Sequence, residues 1–209
     1  MGNKRYKKYF RKSYLSSGVN GDVLLEDISK YKINKILEIG VFQGVTGRNI
    51  CELLSKTKKE FKYIGVDIFD SMYDKEEEIL PIMKSSNPLK KIYYKYIKRI
   101  EPYSLEGVKQ LLKKYEKNVI LYKGNSNEIL KDFEHKDIDY IIIDGGHSYE
   151  TVIEDLNLSA KILSKEGIIM CDDYIHNKTQ GVKMAVDEFI KFNSFKIEII
   201  NKRMAKLYL

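Results

Sequence analysis

Two acidic clusters stand where apolar runs end: Asp144-Gly145-Gly146-His147 follows the run 138–143, and Asp172-Asp173 follows 167–171. If the two runs are neighbouring strands of a parallel sheet, their carboxyl ends open into one crevice, the usual ligand site of such sheets. Three carboxylates gathered there repel one another by several kcal/mol at intermediate dielectric, unless a cation lies among them or one takes up a proton. The placement therefore predicts a bound metal ion held by Asp144, Asp172 and Asp173. The competing reading is structural: Asp172-Asp173 caps the following segment, and Asp144 opens a turn before two glycines.

A second constellation lies earlier in the chain. Residues 36–44 read ILEIGVFQG, in which Gly40 and Gly44, with Gly47 beyond, let a strand turn tightly into a helix with its backbone exposed. The dinucleotide fingerprint G-x-G-x-x-G is absent, which speaks against a nucleotide-dependent oxidoreductase. Glu38, at the end of the strand, suits a cation and opposes a pyrophosphate. Asp67 ends the next apolar run, where an acid can accept hydrogen bonds from both hydroxyls of a ribose. The pocket asks for an adenosine without phosphates, and S-adenosylmethionine, with its ribose, ammonium and sulfonium groups, meets that demand.

These residues need a scaffold of alternating strands and helices. The hydrophobic pattern predicts strands at 35–39, 63–68, 118–123, 140–144 and 167–172, with helices at 46–55, 104–115, 126–133, 148–163 and 182–192. Such alternation builds a mostly parallel, Rossmann-like sheet with helices on both faces. The closing pair, 196–200 and 205–209, is too closely spaced for a crossover, so it is an antiparallel hairpin and brings the sheet to seven strands. The stretch 69–102 is too long for an ordinary βα connection and reads as an insertion. It starts acidic and becomes basic and aromatic, with Tyr93, Tyr94 and Tyr96 among lysines. Those tyrosines either pack on the domain or form a wall of the acceptor site or a subunit contact.

With 209 residues, 43% of them hydrophobic, the chain can bury a core. The expected division is a basic arm and lead-in at 1–29 and a single domain at 30–209. The net charge is +7, but six basic residues and no acid lie within 1–12, leaving 31 basic against 30 acidic residues elsewhere. A short charged terminus of this kind reads first as a solvated tail. No apolar run is long enough to span a membrane or to serve as a signal peptide, and Tyr6 breaks the myristoylation pattern after Gly2. Cys51 and Cys171 read as buried free thiols. A cytoplasmic protein is expected, and homodimerisation is left open.

Taken together, ILEIGVFQG at 36–44, YIGVDIF at 63–69, IDGGHSYETVIEDL at 143–156, GIIMCDDY at 167–174 and GVKMAVDEF at 181–189 resemble the class I S-adenosylmethionine-dependent methyltransferases. Over residues 30–209 the chain looks most like the metal-dependent, macrocin O-methyltransferase type of sugar-modifying enzymes. The resemblance implies that Glu38, Gly40, Gly44 and Asp67 hold the cofactor, together with Asp144. Asn125 and Ser126 match the place where such enzymes contact adenine, although an acid is common where Asn125 stands. Asp144, Asp172 and Asp173 match the positions that bind a divalent cation, and an all-oxygen set selects Mg²⁺, with Mn²⁺ or Ca²⁺ as alternatives.

The implied reaction is methyl transfer to a sugar or glycan hydroxyl, whose proton a base must take. His147, three residues beyond Asp144 and on the same crevice, is the first candidate, and Asp144 is the second. His147 also has a plainer reading, as a helix-end residue bonded locally. His176 could line the acceptor side, while His135 looks incidental. A catechol-like phenol is another acceptor, and an RNA methyltransferase or RNA-binding module using the basic arm is the rival class.

Overall fold

The computed structural model describes residues 5–16, 19–57, 60–69, 89, 92–176 and 179–209. Of the expected insertion, residues 70–88 and 90–91 lie outside the described residues. The strands are β1 (Lys35–Ile39), β2 (Lys62–Asp67), β3 (Val119–Lys123), β4 (Ile138–Ile143), β5 (Leu163–Cys171), β6 (Lys196–Ile200) and β7 (Met204–Tyr208). They form one seven-stranded sheet in the order β3-β2-β1-β4-β5-β7-β6. Strands β1 to β5 pair in parallel, and β7 runs antiparallel to both β5 and β6. The Rossmann-like sheet with its reversed C-terminal strand is thus the fold expected from the alternation of elements.

Helices α1 (Asn20–Ile28), α2 (Val45–Thr57), α3 (Leu105–Leu112), α4 (Ser126–Ile129), α5 (Tyr149–Ile162) and α6 (Gln180–Phe192) accompany the sheet. Side chains alternate across a strand, so each inner strand feeds two cores. Leu37, Ile39, Ile141, Ile143, Ile169 and Cys171 pack with Leu156 of α5 and Phe189 of α6. Ile36, Tyr140, Ile142, Ile168 and Met170 pack on the other face with Leu24 of α1 and Ile50 of α2. Burial on both faces explains why the strands read as unbroken apolar runs.

Helix α1 belongs to the lead-in 1–29, where no element was assigned from the sequence. The 126–133 helix shortens to α4, with Asn125 as its N-cap accepting from Asn127 N at 2.9 Å. The 104–115 helix ends at Leu112 and tightens into a 3₁₀ turn over Lys113–Asn118.

Register carries the chemistry. Ile39 pairs with Ile143, and Ile143 with Cys171, so the three strands end level with one another. One further rung of hydrogen bonds follows, from Asp144 N to Ile39 O at 2.8 Å and from Asp172 N to Ile143 O at 2.9 Å. Strand order reverses between β1 and β4, which places this rung at the topological switch point.

The basic arm is no solvated tail where it is described. Arg11 is 5% exposed and donates to three carbonyls: Gln43 O at 3.1 Å, Pro102 O at 2.9 Å and Gly107 O at 2.8 Å. Tyr6 is held by Ser13 and by Thr46 of α2, and Leu15 joins the core. The described end of the insertion meets the arm as well: Tyr93, in a π-helical segment (Tyr93–Lys98), stands edge-on to Phe10 at 5.4 Å.

Replacing Arg11 strips three buried carbonyls of a charged donor. Hydrogen bonds to charged groups contribute roughly 1.5–3 kcal/mol each, and losses within one cluster do not add. Arg11→Ala is therefore expected to destabilise the fold by about 3 kcal/mol in urea titration. A change below about 0.5 kcal/mol, the range of ordinary surface substitutions, would mean that the arm is merely laid against the domain.

Candidate active site

At the carboxyl ends of β1, β4 and β5 lies a cavity of about 290 Å³. Gly40, Val41, Phe42 and Gln43 line it after β1, with Asp144, Gly145, His147, Asp173, His176, Thr179 and Arg203 from the later loops. Lys12, Ser13 and Tyr14 of the arm complete it. Tyr14 stacks on Phe42 with ring centroids 5.9 Å apart and planes 30° apart.

The glycine turn is sterically required. Gly40 has φ +89°, and a Cβ there would lie 2.0 Å from the main-chain oxygen of Asp144. Only glycine lets β1 turn this close to β4. Gly44, with φ +76°, turns the chain into α2 beneath Val108. Gly181 lets α6 run against the backbone of residues 147–149, where a Cβ would meet His147 O at 2.5 Å. Ser148 caps α5 by accepting from Thr151 N at 3.3 Å, which settles His147 just ahead of the helix.

His147 Nε2 lies 3.2 Å from Asp173 Oδ2. A carboxylate on Nε2 favours the tautomer with its proton there and leaves Nδ1 as the acceptor. Nδ1 is buried and makes no hydrogen bond to a protein group. Ligand atoms of Asp144, His147 and Asp173 all lie within 4.8 Å of one another. Burial pushes the Asp173 carboxyl up, but the His147 bond and the nearby charges of Arg203 and His176 outweigh it and hold it below the usual carboxylate range. Asp144 behaves oppositely: burial first, then the charges of Asp172 and Asp173, push it well above that range. Asp173 also has φ +56°, a left-handed conformation that costs energy and recurs at functional turns.

Arg203 was missed in the sequence. It closes the turn between β6 and β7, where Asn201 and Lys202 have φ +51° and +52°, the backbone of a tight hairpin. Its Nε and Nη2 donate to Asp172 Oδ1 and Oδ2, both at 2.7 Å, and Nη2 also stands 2.8 Å from Asp173 Oδ1. The signal lay in the hairpin: once β7 is placed beside β5, Cys171 faces Ala205, and Arg203 falls beside the acids that follow β5.

The predicted ligand triad consequently divides. Asp172, 4% exposed, spends both oxygens on Arg203, and the ligand atoms that converge are those of Asp144, Asp173 and His147. Two carboxylates and an imidazole beside a guanidinium are not the octahedral oxygen set that suits Mg²⁺. A divalent ion there would also face a like charge across the Asp173 carboxylate. The residues present do not fit the expected magnesium site.

The cofactor residues divide as well. Gly40 and Asp144 border the cavity. Glu38, 1% exposed, lies behind it and accepts a short hydrogen bond from Tyr63 OH. Asp67 accepts from Phe42 N at 2.7 Å, Phe69 N at 2.8 Å and Tyr103 OH at 2.9 Å, so it braces the turn from beneath. Asn125 and Ser126 start α4, and neither lines the cavity. His135, bonded to Tyr122 OH at 3.0 Å, also lies outside the cavity lining.

Burial pushes the Glu38 carboxyl up to about 8. The native state then binds its proton more tightly than the unfolded chain does, so stability falls as pH rises from the ordinary glutamate range towards 8. Glu38→Gln keeps an acceptor for Tyr63 without the ionisation. It is expected to match the wild type near pH 5 and to exceed it at pH 8 by on the order of a few kcal/mol in thermal or urea unfolding. Parallel pH profiles for the two proteins would refute a buried proton at Glu38.

Known proteins share this fold. Residues 37–174 match the family described as a methyltransferase domain. The chain is similar to the uncharacterized protein R132 of Acanthamoeba polyphaga mimivirus, with 27% identity over 172 residues, 73% of each chain. In fold it is similar to the O-methyltransferase NovP, with TM-score 0.64 and 17% identity over 98% of this chain and 87% of that one. It is similar too to the methyltransferase PaMTH1 of Podospora anserina, bound to S-adenosylhomocysteine, with TM-score 0.63 and 15% identity over 95% and 80%. Among the described residues no helix is long and apolar enough to cross a membrane. With the family match spanning most of the sheet and most of the cavity lining, the chain belongs to the methyltransferase-domain family, on the class I S-adenosylmethionine-dependent fold.

Proposed function

We propose that the protein transfers a methyl group from S-adenosylmethionine to a hydroxyl oxygen, with a sugar or glycan as acceptor and His147 as base. The observation that carries this is the His147–Asp173 pair lining the same cavity as the glycine turn. Bound S-adenosylmethionine supplies an electrophilic methyl carbon on a sulfonium. Gly40 to Gln43 and Asp144 offer it backbone and carboxyl groups, a fit to a cationic amino-acid end. Asp173 holds the imidazole at Nε2 and leaves Nδ1 without a protein partner. Nδ1 takes the acceptor proton as the carbon–oxygen bond forms and the carbon–sulfur bond breaks, and Asp173 steadies the imidazolium. The proton then returns to water.

A sugar is favoured by the Tyr14–Phe42 stack, which offers an apolar face of the kind a pyranose covers, in a cavity also lined by polar groups. The arm supports RNA poorly: Arg11 is buried on carbonyls, and Lys7 is paired with Glu52 at 2.7 Å. Two buried free cysteines, Cys51 and Cys171, accord with a cytoplasmic protein. Incubation with S-adenosylmethionine carrying a tritiated methyl group, across nucleotide sugars, oligosaccharides, catechols and RNA, tests the acceptor class. Label fixed in a sugar as a methyl ether is the expected result; label in RNA or catechol alone would replace it.

A further inference from the structure

The acids at the strand ends meet a cation carried by the chain itself. Arg203 reaches them from the far hairpin with the planar fork that matches a carboxylate, both bonds to Asp172 at 2.7 Å, and it extends to Asp173 at 2.8 Å. Its side chain is 18% exposed and that of Asp172 3%, so the pair is largely removed from water, where its geometry is costly to break. The hairpin that carries it is tied to the same loop: Ile175 N donates to Arg203 O at 3.0 Å, and Thr179 Oγ1 donates to Asp173 O at 2.9 Å. Asp173 is thereby fixed at one oxygen by the guanidinium and presents the other to His147.

We infer that Arg203 is the resident cation of this cleft: it neutralises the acid cluster, positions Asp173 and through it His147, and closes the position to a divalent ion. Arg203 is a positioning residue, since its guanidinium acts through Asp173. The inference rests on the proposed methyl transfer for what His147 does, but cation binding tests it without any turnover.

The experiment is a titration of Mn²⁺, followed by calorimetry and by the spin-resonance signal of free Mn²⁺, into wild type, Arg203→Gln, Arg203→Lys, Asp173→Asn and the double variant Arg203→Gln/Asp173→Asn. A thermal shift with S-adenosylhomocysteine on each protein reports an intact fold. Wild type and Arg203→Lys, which keep a positive charge, are expected to show no saturable Mn²⁺ binding. Arg203→Gln, with the charge gone and the acids left, is expected to bind Mn²⁺ saturably, at least roughly tenfold more tightly than the upper limit set by wild type. The double variant is expected to lose that gain.

Saturable Mn²⁺ binding by wild type that Asp173→Asn abolishes would overturn the inference. So would an Arg203→Gln protein that responds to S-adenosylhomocysteine and gains no affinity for Mn²⁺. If Arg203→Gln does not fold, the wild-type and Asp173→Asn titrations decide alone. A wild type that ignores S-adenosylhomocysteine would sink the methyltransfer proposal and leave the Mn²⁺ result standing.

Discussion

His147→Ala is expected to lower methyl transfer by roughly 10²- to 10⁴-fold, the contribution of a positioned general base. The loss falls on turnover, because a neutral hydroxyl must shed its proton as it attacks, and the variant leaves that step to water. S-adenosylhomocysteine binding should stay within about twofold of wild type, a difference well under 1 kcal/mol. Asp173→Asn should follow the same direction, since an amide can accept or donate at Nε2 and no longer fixes the tautomer that frees Nδ1. A His147→Ala protein that transfers methyl groups at the wild-type rate would return His147 to a local structural role before α5.

Gly40→Ala should be strongly destabilising. Its Cβ would sit 2.0 Å from Asp144 O, and backbone rather than a flexible side chain would have to move. The left-handed backbone adds about 1–2 kcal/mol, and overpacking about 1–3 kcal/mol. A loss of roughly 3–5 kcal/mol is expected, along with cofactor binding, because β1 and β4 would be forced apart at the cavity. Gly145→Ala is the matched control. Its Cβ would meet Ile39 Cγ2 at 3.4 Å, an ordinary contact, so stability should change by less than about 1 kcal/mol. Equal losses at the two positions would show that close approach at Gly40 is not what the turn requires.

The sheet was legible because buried parallel strands leave continuous apolar runs, and the acids and glycines that follow them mark strand ends by their chemistry. The level of Gly40, Asp144 and Asp172 followed from those ends once the strands were set side by side. Arg203 was not legible, since it lies thirty residues beyond Asp173 and its relevance depends on β7 entering the sheet between β5 and β6. Arg11 was misjudged for another reason: its partners are backbone carbonyls, which no side-chain pattern announces. Glu38 and Asp67 were legible as acids that end strands beside the turn, but their protein partners were not. Tyr63 reaches Glu38 across the β1–β2 pair, and Phe42 N and Tyr103 reach Asp67 from two loops, contacts that depend on the folded register.

Hydrogen–deuterium exchange with and without saturating S-adenosylhomocysteine tests the central claim most directly, because one measurement reports both binding and place. The account predicts slowed exchange at residues 40–46 and 144–148, the segments that border the cavity at the ends of β1 and β4. Unchanged exchange in both segments, or protection confined elsewhere in the chain, would contradict a methyl-transfer site at the switch point of this sheet.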